Sequence, residues 1–184
     1  MARFQTPPPG RVVVSIIYSS IDALADALRQ LERQFGRVVC ETLEIPYSGN
    51  KYAEEMGHNL QRRFYSFNRQ FDRDKLPSIK TSCDRIERQF GDRVDDYTFR
   101  TVNIDPGMLT PDNLIMASHR EYNHRLYLGE GTFGELTLVW AKGRFVRLPW
   151  TGPDFCQQEA IDFFERVRDM FEPQDCLQET ELEQ

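Results

Sequence analysis

A handful of polar residues in the second half of the chain sit among apolar neighbours, and their types would serve acid–base chemistry or anion binding. In Asn103-Ile104-Asp105-Pro106-Gly107 the two polar side chains are two residues apart, so they share a face wherever the stretch is extended. Pro106 and Gly107 also suit positions i+1 and i+2 of a type II turn, in which both side chains would bond the turn's own backbone. His124-Arg125 sets a group that titrates near neutral pH beside a permanent cation, a general base or ligand next to an anion clamp. On a strand the two face opposite ways, so they reach one ligand only if the strand begins after them. Otherwise His124 caps a strand and Arg125 pairs with a structural carboxylate. Glu135 interrupts an apolar strand and needs a partner if buried. Were Asp105, His124 and Glu135 to converge, His124 would move protons, and a carboxylate would orient it or a divalent metal. Arg125, Asn103, Tyr52 and Asp154 complete the candidate set as ligand-binding residues. Asp154, like Thr151, also suits the cap of a helix. His119 and His124 are five apart, which is not a metal-ligand spacing, so no metal site is assigned and the cofactor stays unknown.

The stretch LGEGTFGELTLVW (128–140) matches the glycine-rich loop of a kinase on Gly129, Gly131 and Gly134. A kinase needs further parts downstream, and neither H-R-D nor D-F-G follows in the 50 residues that remain. Rossmann glycines should open a helix, yet Glu135, Thr137 and Val139 alternate with Leu136, Leu138 and Trp140 at strand period. The reading is a hairpin turn between strands.

These residues must be positioned by elements the apolar pattern outlines. Arg11–Tyr18 reads as a buried strand, followed by a helix capped by Ser19 or Ser20, striped by Leu24, Leu28, Leu31 and Phe35, and stopped by Gly36. Residues 37–45 return as a strand. A turn and one helical turn at Tyr52–Gly57 lead to a strand over 61–71. Leu76, Ile79, Cys83, Ile86 and Phe90 stripe a second helix, and 97–104 forms another strand. The order is that of a ferredoxin-like β-α-β-β-α-β core in an α+β domain. Short strands at 113–118, 125–128, 135–140 and 144–148 add a C-terminal β extension. A final helix, approached through Pro153-Asp154, carries Ala160, Ile161, Phe163, Phe164, Val167 and Phe171. The expected organisation is a disordered lead over 1–10, a single domain over 11–171 and a flexible acidic tail over 172–184.

At 184 residues the chain is long enough to bury one core without staples. Its four cysteines are scattered, with no C-x-x-C, which favours reduced thiols and a cytoplasmic setting. No apolar run approaches the ~20 residues of a membrane span, so no membrane partner is expected. The net charge is -6, but five acids fall in the tail from Glu172 onward, leaving the rest one charge from neutral. Such a surface argues against nucleic acid. One rival remains in Arg62-Arg63-Phe64-Tyr65-Ser66-Phe67, where Arg63, Tyr65 and Phe67 share a strand face as in RNA-recognition modules.

Several blocks in order, IIYSS (16–20), YAEEMG (52–57), RRFYSF (62–67), VNIDPGML (102–109), HRLYL (124–128), GELTL (134–138) and PWTGPD (149–154), resemble the bacterial domain-of-unknown-function 4416 family. There the corresponding segments typically read N-I-D-P-G-Y-L, H-R-I-Y-L and W-T-Y-P-D-Y. This chain has Gly152 and Phe155 where the last block carries two tyrosines. The resemblance implies no activity, and the GTP-binding label some members bear finds no G-x-x-x-x-G-K-[ST] here. The leading expectation is a cytoplasmic protein holding a small polar or anionic ligand around the NIDPG and HRLYL segments, with the question of catalysis left open. The alternatives are a non-catalytic protein-interaction module and an RNA- or nucleotide-binding module.

Overall fold

The strand GRVVVSIIY, β1 (Gly10–Tyr18), lies at the middle of the sheet, and Val12 to Tyr18 are at most 3% exposed. A strand covered on both faces needs no polar alternation, which is why it reads as one apolar run. This is a computed structural model, and it describes residues 5–47, 49–94 and 97–171. The acidic tail, with Cys176, and residues 1–4 of the lead lie outside them. Of the lead, the Pro8 carbonyl accepts a bond from Arg73 Nε at 2.9 Å and Gly10 already belongs to β1.

Helix α1 (Ile21–Phe35) begins where Ser20 Oγ accepts from the Ala23 N–H and ends where Gly36, at φ 90°, donates to the Glu32 carbonyl. Then come β2 (Val38–Glu41), β3 (Ile45–Pro46), the one-turn helix α2 (Ala53–Met56), β4 (Gln61–Phe71) and α3 (Leu76–Glu87). A separate hairpin pairs β5 (Gly91–Val94) with β6 (Tyr97–Arg100). The chain closes with β7 (Val102–Leu109), β8 (Asn113–Ser118), β9 (Arg125–Gly129), β10 (Thr132–Ala141), β11 (Arg144–Arg147) and α4 (Gln158–Arg168).

Among the described residues all strand pairs of the main sheet are antiparallel, in the order β11-β10-β8-β7-β1-β4-β2, with β3 added to β4 and β9 to β10. The ferredoxin-like core with an appended β extension is therefore not what forms. β8 bonds to β7 through Gly107–Leu109, so the later strands continue the same sheet and bring it to nine. Two expected strands also break. Residues 37–45 divide into β2 and β3, and 97–104 divides at Thr101, which sends β6 to the separate hairpin.

The pleat sorts the core. Val12, Val14 and Ile16 join Tyr65, Phe67 and Ile104 under the stripes of α1 and α3. On the other face Val13 and Phe64 meet Leu114, Leu138 and the Phe163, Phe164 and Val167 of α4. Ile17 meets Tyr52 and Met56 beyond them. No described helix is long and apolar enough to cross a membrane.

A cavity where two strands part

β7 and β8 stay paired for three residues and then separate: beyond Gly107↔Met116 no pair joins them. The Ile104 N–H turns away from β1 and donates to Glu87 Oε2 at 2.6 Å. Pro106, two residues on, faces the same edge and has no N–H to offer, so the ladder stops beside it. The Asp105-Pro106-Gly107 turn expected from residue type is thus strand. Gly107 serves close approach instead, since a Cβ there would lie 2.4 Å from Met116 Sδ and 2.9 Å from the Ile115 carbonyl oxygen. In the gap beyond lies a cavity of about 630 Å³.

On its floor Asn103 Nδ2 donates to Asp105 Oδ2 at 2.7 Å. Lys80 of α3 sits 3.5 Å from Asp105 Oδ1 and 2.9 Å from Asp84 Oδ1. Burial pushes the Asp105 carboxyl up, but the Lys80 ammonium, the Asn103 amide and the more distant Lys51 and Arg62 outweigh it and hold it below the carboxylate range. About a third of its side chain (34%) stays open to the cavity. Lys80 is held charged in the same way, burial being outweighed by Asp105 and Asp84. Glu87 is raised by burial, against the Ile104 N–H and Arg100, which also reaches Glu55 at 2.7 Å. Tyr52 is 6% exposed, its ring 5.1 Å from the Arg100 guanidinium and 4.8 Å from the Lys51 amino group.

The opposite wall comes from β8, β9 and β10. β9 begins at Arg125, so His124 precedes it and both side chains reach Glu135: Nε2 of His124 at 3.1 Å, Nε of Arg125 at 2.8 Å. The His124 ring is stacked between Tyr122 (5.7 Å) and Trp150 (5.3 Å), and its Nδ1 lies 3.1 Å from Asn123 Oδ1. Arg125 Nη1 donates to Ser118 Oγ and to the Arg120 carbonyl, both at 2.9 Å. With Nε and Nη2 on Glu135, its five donors are nearly spent, so Arg125 braces the wall rather than standing free as an anion clamp.

Asp154 caps no helix. It pairs at 3.0 Å with Arg62, itself boxed by the rings of Tyr47, Phe64 and Phe155, while α4 starts later, after Gln157. Thr151 Oγ1 bonds Leu148 N–H and the Thr137 carbonyl. The glycine loop is a hairpin turn: Gly129, Glu130 and Gly131 all have positive φ between β9 and β10. Its Gly131 carbonyl meets His119 Nδ1 at 2.8 Å, and His119 Nε2 lies 2.5 Å from Asp84. Tyr65 and Phe67 are 1% and 0% exposed, so these two rings offer no face on which a base could stack.

All seven candidates, Tyr52, Asn103, Asp105, His124, Arg125, Glu135 and Asp154, line the one cavity. His124 and Glu135 touch; Asp105 makes its contacts with Lys80 and Asn103 instead. Among the described residues no three His, Cys, Asp or Glu side chains are set to hold a metal. Sequence reasoning missed Lys80, Arg62, Arg100, Lys51 and Arg120. Lys80 alone left a sign, lying four residues after Leu76 and three before Cys83 on the buried stripe of α3.

No curated protein and no solved structure matches the chain. A family model, described as domain of unknown function (DUF4416), matches residues 8–171. That span holds every strand and helix from β1 to α4 and every residue of the cavity wall, and the chain belongs to the DUF4416 family.

Proposed function

We propose that the protein binds a small anionic ligand in the cavity between β7 and β8. One observation carries this reading: Lys51 and Arg120 are exposed at the cavity's rim, and neither has a carboxylate partner among the described residues. The other lining cations, Arg62, Lys80, Arg100 and Arg125, are each paired with an acid. Two unneutralised cations over a concave polar site draw anions and hold them. Asp105 and Asn103 face the ligand's polar body from the floor. His124 has Glu135 on one ring nitrogen and Asn123 on the other, so in this cavity it acts as a positioned wall, and the function proposed is binding. Unpaired Cys40, Cys83 and Cys156 support a cytoplasmic setting.

Thermal melting against a panel of phosphates, carboxylates and nucleotides tests this. At 100 times Kd a ligand adds ~2.7 kcal/mol, which for a chain of this size raises the melting temperature by roughly 5–10 °C. The shift should vanish in Lys51→Ala and Arg120→Ala. A shift untouched by either substitution would move the site elsewhere, and silence across all anions would refute the proposal.

A further inference from the structure

The charges around the cavity are unevenly laid out, and their arrangement bears on the ligand's chemistry. At the floor Asp84 and Asp105 share the single ammonium of Lys80. At the rim Lys51 and Arg120 stand without an acid. An anionic head therefore belongs at the rim, and the rest of the molecule faces a wall that both accepts and donates, the Nε atom of Arg62 being buried without a hydrogen-bond partner among the described residues. Asp105 is ionised, so it can only accept, and it keeps open surface toward the cavity. Ser118 Oγ accepts from Arg125 Nη1 at 2.9 Å and from the Arg120 N–H at 3.1 Å, which leaves its own proton to donate. The phenol of Tyr52 makes no hydrogen bond within the described protein, and the residue lines the same space.

Resting on the anion-binding reading above, we propose that the ligand is a phosphate monoester of a hydroxylated carrier, its phosphate between Lys51 and Arg120 and its hydroxyls on Asp105. Two cations at one rim suit two charges on one group, and a phosphate monoester carries about −1.5 to −2 at pH 7. A dicarboxylate spreads the same charge over two ends and would set one of them against the acidic floor. An ammonium body is unsuited, because Lys80 already supplies that charge to Asp105. The cavity's volume of about 630 Å³ lies within the usual range for small-molecule sites, ~300–1,000 Å³.

Titration calorimetry on the full chain tests this, with glycerol 3-phosphate, ribose 5-phosphate, glucose 6-phosphate, inorganic phosphate, O-phosphoethanolamine and succinate as probes. At least one of the three hydroxylated esters should bind tenfold or more tighter than inorganic phosphate and succinate. That binding should fall at least tenfold in Lys51→Ala and in Arg120→Ala, both surface positions that leave the core intact. Asp105→Asn should collapse the preference for the ester over inorganic phosphate while phosphate itself still binds. Affinity should also drop between pH 7 and pH 5, as the ester's second proton, with pKa ≈ 6, goes on. Succinate binding lost in Lys51→Ala, with all phosphates silent, would overturn the monoester while leaving an anion site. Tighter binding of O-phosphoethanolamine than of every hydroxylated ester would overturn the hydroxyl assignment. Heat from none of the probes would overturn both the monoester and the anion site.

Discussion

Replacing Lys80 by Met probes whether the cavity floor is held by charge. The side chain is 8% exposed, and its partners Asp84 and Asp105 are 15% and 34% exposed. Methionine keeps most of the apolar volume against α3's stripe, so the loss isolates the ammonium. Removing one partner of a buried pair costs ~3–5 kcal/mol, because the other charge is left uncompensated. Here water reaches Asp105 and His119 still touches Asp84, which brings the expected cost at pH 7 to about 2–3 kcal/mol. With m near 2–3 kcal/mol/M, the urea midpoint should fall by roughly 1 M. The pH dependence supplies a second check. In the native protein Asp105 is held below its unfolded value, so its contribution is present above that value and lost as pH falls through the folded one. In Lys80→Met the carboxyl loses that support and its folded value rises, so the penalty exists only while it is ionised. The deficit should therefore shrink on going from pH 7 toward pH 4. Urea unfolding of both proteins at pH 7 and pH 4.5 measures this. A deficit below 1 kcal/mol at pH 7, or one equal at both values, would refute the charge-held floor.

Gly107→Ala would force a methyl against Met116 Sδ and the Ile115 carbonyl, and the backbone contact cannot be relieved by a rotamer. A loss of ~1–3 kcal/mol is expected in the same urea assay. His124→Ala removes the ring between Tyr122 and Trp150, costing ~0.5–1.5 kcal/mol and changing the fluorescence of Trp150, which is 40% exposed. An unchanged spectrum would mean the stack does not form. Lys51 is exposed as a residue, but its amino group lies against the Tyr52 ring; that partial loss of water first, then the neighbouring Arg120, holds the ammonium below the ordinary lysine range. Such a group loses its charge earlier as pH rises, so any anion-induced melting shift should weaken as pH climbs from 8 toward the ordinary lysine value of 10.5. A shift constant over that window would argue that Lys51 takes no part.

Local pattern carried the helices and most of the strands because each rests on short-range physics. Leu24, Leu28, Leu31 and Phe35 repeat at helical spacing, Ser20 and Gly36 satisfy the ends, and Glu130-Gly131 takes a hairpin's positive φ. Polar residues in apolar strands also revealed Asn103, Asp105 and Glu135, since a buried carboxylate has to be answered from somewhere. How β8 meets β7 was settled by tertiary structure, and the single nine-stranded sheet follows from that pairing. The Asp105-Pro106-Gly107 segment shows why. By residue type it makes a turn, but in the sheet Pro106 faces the gap where no donor is wanted, and the strand runs through it. Lys80 and Arg62 were hidden for a related reason. A lysine on a helix or an arginine on a strand reads as solvated until a partner from another element, Asp105 or Asp154, arrives to pair it. Side-chain type and spacing determine which elements form, whereas the register between distant strands determines which charges end up facing one another across the cavity.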